Sequence, residues 1–117
     1  MDALQKENEG YRIMTVTRSF RDTVQARAAA DPDYRYGLLT ESLDAMLSGD
    51  LETGKALLRD YINASLGFET LGKEVDKSPK SLMRMLSAAG NPTAKNLFGI
   101  ISLLQEKEGV MLHTKAS

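Results

Sequence analysis

The stretch Phe68 to Ser87, FETLGKEVDKSPKSLMRMLS, constrains this chain most, because a glycine interrupts one short helical period and a Ser-Pro pair opens the next. Leu71, Val75, Leu82, Met85 and Leu86 recur at helical spacing and give each segment one apolar side. Gly72 stands inside the first segment, where glycine costs about 1 kcal/mol against alanine. Its presence there implies a place where a longer side chain would push two helices apart. Ser78 can accept a hydrogen bond from a free amide of the next helix, and Pro79 is preset for its first position. These local rules agree on two short helices crossing steeply about a tight turn.

The remainder reads as helix as well. From Ser19 to Ala30, Phe20, Val24 and Ala28 recur every four residues; Asp31-Pro32 then ends that helix and caps a second. The second carries a Leu39, Leu43, Met46, Leu47 stripe and stops at Ser48-Gly49. A third is expected from Asp50, with Leu51, Leu57, Leu58, Tyr61 and Ile62 inward and Gly67 as its left-handed cap. Phe68 to Val75, Pro79 to Ser87 and Thr93 to Gln105 complete the set, the last with Leu97, Ile100, Ile101 and Leu104 on one face. RIMTV at 12–16 and VMLHT at 110–114 alternate weakly, the second as a tail strand. The expected fold is all-α, a compact bundle of about five to six short helices. Residues 1–17 are expected as a flexible tail and 18–117 as one helical domain, divided into 18–66 and 67–106 plus the end of the chain.

With 42% hydrophobic and 26% charged residues in 117, the composition is that of one globular domain. There is no cysteine, which removes thiolate zinc sites, cysteine nucleophiles and disulfides and fits a reducing compartment. No apolar run approaches the roughly 20 residues of a membrane span, and MDALQKENEG lacks the plan of a signal peptide. A cytoplasmic protein without a membrane role is expected.

Net charge is −1, but it is unevenly spread. Residues 1–67 carry 8 basic and 11 acidic side chains, residues 68–117 carry 7 and 5. Between Asp76 and Lys95, Lys77, Lys80, Arg84 and Lys95 face Asp76 alone, and local charge near phosphates matters more than the total. Lys80, Ser81, Met83, Arg84 and Ser87 would point outward from the second short helix, with Ser78 at its start, and could enter a DNA major groove. Arginine pairs with guanine through two hydrogen bonds, lysine and serine serve base edges or phosphates, and methionine can meet a thymine methyl. The turn from Gly90 to Lys95 sets free helix amides, Asn91, Thr93 and Lys95 where a phosphate could sit.

FETLGKEVDKSPKSLMRMLSAAGNPTAKNLFGIISLL resembles the Cro/repressor-type helix-turn-helix, with a Ser leading the recognition helix and N-P-T opening the next. Over roughly 18–106 the chain is similar to the HigA-like addiction-module antidotes of bacterial toxin–antitoxin systems, in which an acidic helix pair like that in DPDYRYGLLTESLDAMLSGDLETGKALLRDYINASLG comes first. The resemblance implies a dimer that represses its own operon at an inverted repeat of double-stranded DNA and in many cases neutralises a toxin. Phe20, Tyr34, Tyr36 and Glu41 are candidate partner or dimer contacts, since tyrosines favour interfaces. Two departures stand out: the turn reads Asp76-Lys77 in place of Gly and an apolar residue, and Phe68 replaces a phosphate-holding glutamine. A stand-alone phage-type repressor and a helical protein-interaction module are the alternatives.

Other motifs take simpler readings. Gly49 to Lys55 has the G-x-x-x-x-G-K spacing of a phosphate loop, but Ala56 stands where Ser/Thr is required and no strand precedes it. Asp31 and Asp33 are cap residues, His113 lacks a metal partner, and Met83, Met85 and Met111 are core filler or, for Met83, a groove contact. Asn63-Ala64-Ser65 matches a glycosylation acceptor, which has no meaning without secretion. No nucleophile–base pair, metal set or cofactor loop remains, so neither enzyme activity nor a cofactor is expected.

Overall fold

Asp31 ends one helix and begins the next. In the computed structural model, which describes residues 18–117 (side chains of 18, 19 and 21 aside), α1 spans Arg18–Ala30 and α2 spans Pro32–Leu47. The Asp31 carboxylate accepts the amides of Asp33 at 3.1 Å and Tyr34 at 3.4 Å, and Pro32 takes the first helical position. Gly49, with φ +93°, turns the chain into α3 (Leu51–Ala64), where Asp50 caps the first turn through Thr53 N at 3.2 Å. Hydrogen bonding from the Thr53 side chain, and then from its amide, holds the Asp50 carboxyl below its ordinary value. The remaining helices are α4 (Gly67–Val75), α5 (Pro79–Met85) and α6 (Ala94–Glu108). Every regular element among the described residues is a helix, and none of these helices is long and apolar enough to cross a membrane.

α2 and α3 form a helical hairpin with the most extensive packing in the molecule, and α1 lies against both. Leu39, Leu58, Tyr61 and Ile62 fill its seam; Phe68, Leu71, Leu82 and Leu86 join from α4 and the α5 end, and Ile100, Ile101 and Leu104 from α6. Four expectations are corrected. Leu47 and Leu51 were expected inward but are exposed; Phe20, on the α1 stripe and also a candidate partner contact, is exposed as well. Leu47 ends α2 and Leu51 begins α3, so both flank the turn, where a helix end has few neighbours; Phe20 sits one turn above the last core contact of α1. Gly67 does have a positive φ, +82°, yet it opens α4. α3 has already stopped, with Ser65 bonding back to the Tyr61 carbonyl through its amide at 3.0 Å and its hydroxyl at 2.8 Å. α5 ends at Met85, two residues short of the expected Ser87, and the cause lies in α3, as described below. Residues 110–114 are not a strand, because among the described residues no second strand lies beside them to complete a ladder. The alternation at 12–16 and the tail over 1–17 fall outside the described residues.

A polar network locks the far end. Arg35 Nε donates to Glu108 Oε1 at 2.7 Å and Nη1 to the Ala28 carbonyl at 2.8 Å, while the Tyr61 hydroxyl donates to the same Glu108 oxygen at 2.7 Å. Three helices thus meet at one carboxylate, and Arg35 ties α1 to them through the Ala28 carbonyl. Burial pushes the Glu108 carboxyl up, but the hydrogen bonds from Arg35 and Tyr61 more than offset this and hold it below its ordinary value. Burial, followed by the bond to Glu108, pushes the Tyr61 phenol well above its ordinary value.

The phosphate-loop look-alike is a packing motif. A Cβ on Gly54 would lie 2.5 Å from Met46 Cγ and 3.0 Å from the Ser42 carbonyl oxygen, so glycine lets α3 close on α2. The buried Ser42 hydroxyl donates to the Gly54 carbonyl at 2.8 Å.

Candidate nucleic-acid interface

α4, the turn over 76–78 and α5 occupy the stretch from Phe68 to Ser87 singled out in the sequence. Gly72 is needed because a Cβ there would lie 2.5 Å from the Lys77 carbonyl oxygen, and the Gly72 carbonyl in turn accepts the Lys77 amide at 2.9 Å. The close approach is to the turn itself, rather than to α5 as a body. Asp76 takes the left-handed conformation at φ 57° and ψ 50°, the one described non-glycine residue with positive φ. Ser78 caps α5 through Ser81 N at 3.1 Å, with Pro79 in the first turn.

α5 is amphipathic in the sense the interface requires. Leu82, and Leu86 just beyond the helix, are fully buried, and Met85 packs against the same core. Lys80, Met83 and Arg84, at i, i+3 and i+4, share the opposite side and are exposed, Met83 to 49%. Ser81 and Ser87 are half-buried; the Ser87 hydroxyl already donates to the Arg84 carbonyl at 2.7 Å, which leaves it as an acceptor.

The segment between α5 and α6 completes the surface. Thr93 caps α6 by accepting the Asn96 amide at 3.1 Å. Ser81, Arg84, Asn91 and Thr93 line one open cleft between α5 and the start of α6. Lys80, Met83 and Lys95 stand exposed outside its lining, and Ser78 borders a second cleft with Lys73 and Lys77. That second cleft also contains Glu69 and Asp76, so its charge is balanced. The replaced anchor, Phe68, is buried in the core and reaches neither cleft.

Two cations missed by sequence reasoning set this geometry. Lys55, only 2% exposed, sends its ammonium from α3 to the carbonyls of Gly90 at 2.6 Å, Ser87 at 2.8 Å and Ala88 at 3.4 Å. Arg59, one turn on, donates to the Leu86 carbonyl. Together they take up the carbonyls just beyond the α5 end, at Leu86, Ser87, Ala88 and Gly90, and hold the chain there in a tight turn in place of a further helical turn. Gly90 permits the tight return: a Cβ there would lie 2.2 Å from the Arg84 carbonyl oxygen. The sequence held one signal for this, since Lys55, Leu58 and Ile62 fall at i, i+3 and i+7 on the inward stripe of α3.

The partner candidates divide between α1 and α2. Phe20 and Glu41 are exposed; Tyr34 is half-buried with the Arg27 guanidinium 4.4 Å from its ring centre, and Tyr36 is half-buried with Arg35 at 5.9 Å. Among the described residues no three His, Cys, Asp or Glu side chains gather as a metal set. Compared with known protein families, with curated proteins and with solved structures, the chain matches none.

Proposed function

We propose that this chain is a sequence-specific DNA-binding transcriptional regulator that reads the major groove of double-stranded DNA with α5, in a helix-turn-helix formed by α4 and α5. The observation that carries the reading is the exposed row of Lys80, Met83 and Arg84, set on a helix whose other side is anchored in the core. Arg84 reads a base edge, Met83 meets a thymine methyl, and Lys80, Asn91, Thr93 and Lys95 position the protein on phosphates. One such helix reads only a few base pairs, so the protein acts as a homodimer on an inverted repeat, its two α5 helices about 34 Å apart.

Beyond DNA binding, the resemblance to HigA-like antidotes supports an autorepressor that also binds a toxin, with Phe20, Tyr34, Tyr36 and Glu41 as contacts. A short, basic, ribonuclease-like reading frame beside this one separates an antidote from a stand-alone repressor. The DNA reading is tested by titrating the purified protein onto an inverted repeat near its own promoter. Specific binding is expected to weaken steeply between about 50 and 200 mM salt as counterions are released. A protein that shifts no duplex at low salt is a protein-interaction module instead.

A further inference from the structure

Three of the large apolar side chains left exposed converge on one place. Leu47 at the end of α2, Phe98 on the outer side of α6 and Met111 in the tail are 68%, 57% and 74% exposed. All three border a groove of about 380 Å³, floored by Leu43 and Leu112. Gly109, at φ 72°, reverses the chain after α6, and Gln105 Oε1 accepts the Leu112 amide at 2.7 Å, which pins the tail along the helix. Along that tail Val110 and Leu112 are half-buried while Met111 and His113 face out, the alternation of a strand with no partner among the described residues.

We propose that a second copy of this chain occupies this face, making a two-fold dimer that seats Phe98 and Met111 of each copy in the groove of the other. Three features favour a copy over an unrelated partner. An isologous interface must be self-complementary, and this patch holds both projecting side chains and a groove to receive them. Its lining includes a single carboxylate, Asp44, so two copies meet without massed like charge. The extended tail offers backbone groups that an identical tail could pair antiparallel across the axis. The proposal deepens the regulator reading by placing its dimer seam, and it is tested without DNA, so failure of one is distinguishable from failure of the other.

Sedimentation of the full chain at micromolar concentrations is expected to show a dimer. Phe98→Lys should weaken association at least about 30-fold, the loss of a central anchor, with helicity unchanged. Because the chain has no cysteine, His113→Cys treated with a short bis-maleimide should join two copies, and Asn63→Cys, on exposed α3 surface, should not. A monomeric wild-type chain, a dimer indifferent to Phe98→Lys, or coupling at 63 as ready as at 113 each overturns the proposal.

Discussion

The ammonium of Lys55 lies 2.6 Å from the carbonyl oxygen of Gly90, so a cation buried in α3 holds the loop that joins α5 to α6. Lys55→Met keeps the apolar stem and removes three charge-assisted hydrogen bonds, leaving part-buried carbonyls unpaired. A loss of about 2–4 kcal/mol in urea unfolding is expected. A loss within error would show that water replaces the ammonium freely.

Gly72 and Gly99 should respond to alanine in opposite directions. At Gly72 the new methyl meets the Lys77 carbonyl oxygen at 2.5 Å, a backbone atom that cannot step aside cheaply, so Gly72→Ala should destabilise by about 1–3 kcal/mol. At Gly99, inside α6, nothing lies within 4 Å, and alanine should stabilise by about 0.5–1 kcal/mol. Thermal melts of the two variants decide it.

Asp76→Gly removes a left-handed non-glycine residue from the α4 C-terminus. The left-handed region costs an ordinary residue about 1–2 kcal/mol, and aspartate somewhat less, so a gain of roughly 1 kcal/mol in folding stability is expected. Equal or lower stability in chemical denaturation would mean that Asp76 makes good its own cost.

If α5 reads DNA, Arg84→Ala and Lys95→Ala should differ in kind. Arg84→Ala should weaken the specific site by about 1–3 kcal/mol and relax preference at one base position. Lys95→Ala should weaken all sequences alike and lower the salt slope by about 1. Identical profiles for the two variants in a salt-titrated binding assay would remove Arg84 from the base-reading set.

The Glu108 network should shape stability on both sides of neutrality. The Glu108 carboxyl titrates lower when folded than unfolded, so its contribution is complete above the ordinary carboxylate value and fades as pH falls through the lowered one. The Tyr61 phenol titrates higher when folded, so stability should also decline as pH rises above its ordinary value of 10.0. Glu108→Gln should flatten the acid limb of a Tm against pH curve; an unchanged limb would place the acid sensitivity elsewhere.

The helices and their starts were legible because they are decided locally. Asp31, Asp50, Ser78 and Thr93 each cap as their side chains suggest, and the pairing of Gly72 with Ser78-Pro79 marks one tight turn. Of the outward set, Lys80, Met83 and Arg84 are exposed opposite the apolar side of the same seven-residue helix, while Ser81 and Ser87 are half-buried. Helical period tells which side of its own helix a residue occupies. It is silent on which neighbours arrive there.

What only the tertiary structure decided is accordingly a matter of partners distant in sequence. Leu47 and Leu51 belong to apolar stripes yet stay exposed, because the turn between them carries both past the core. Lys55 is buried because carbonyls 32 to 35 residues away come to meet it, and Arg35 finds Glu108 across 73 residues. By itself the sequence determined where the backbone coils and where it turns, since hydrogen bonds and caps within a few residues settle those. Which charges could be buried, where α5 stopped and which apolar face was left open depended on long-range packing, because a charge leaves water only where a specific set of acceptors has been assembled to receive it.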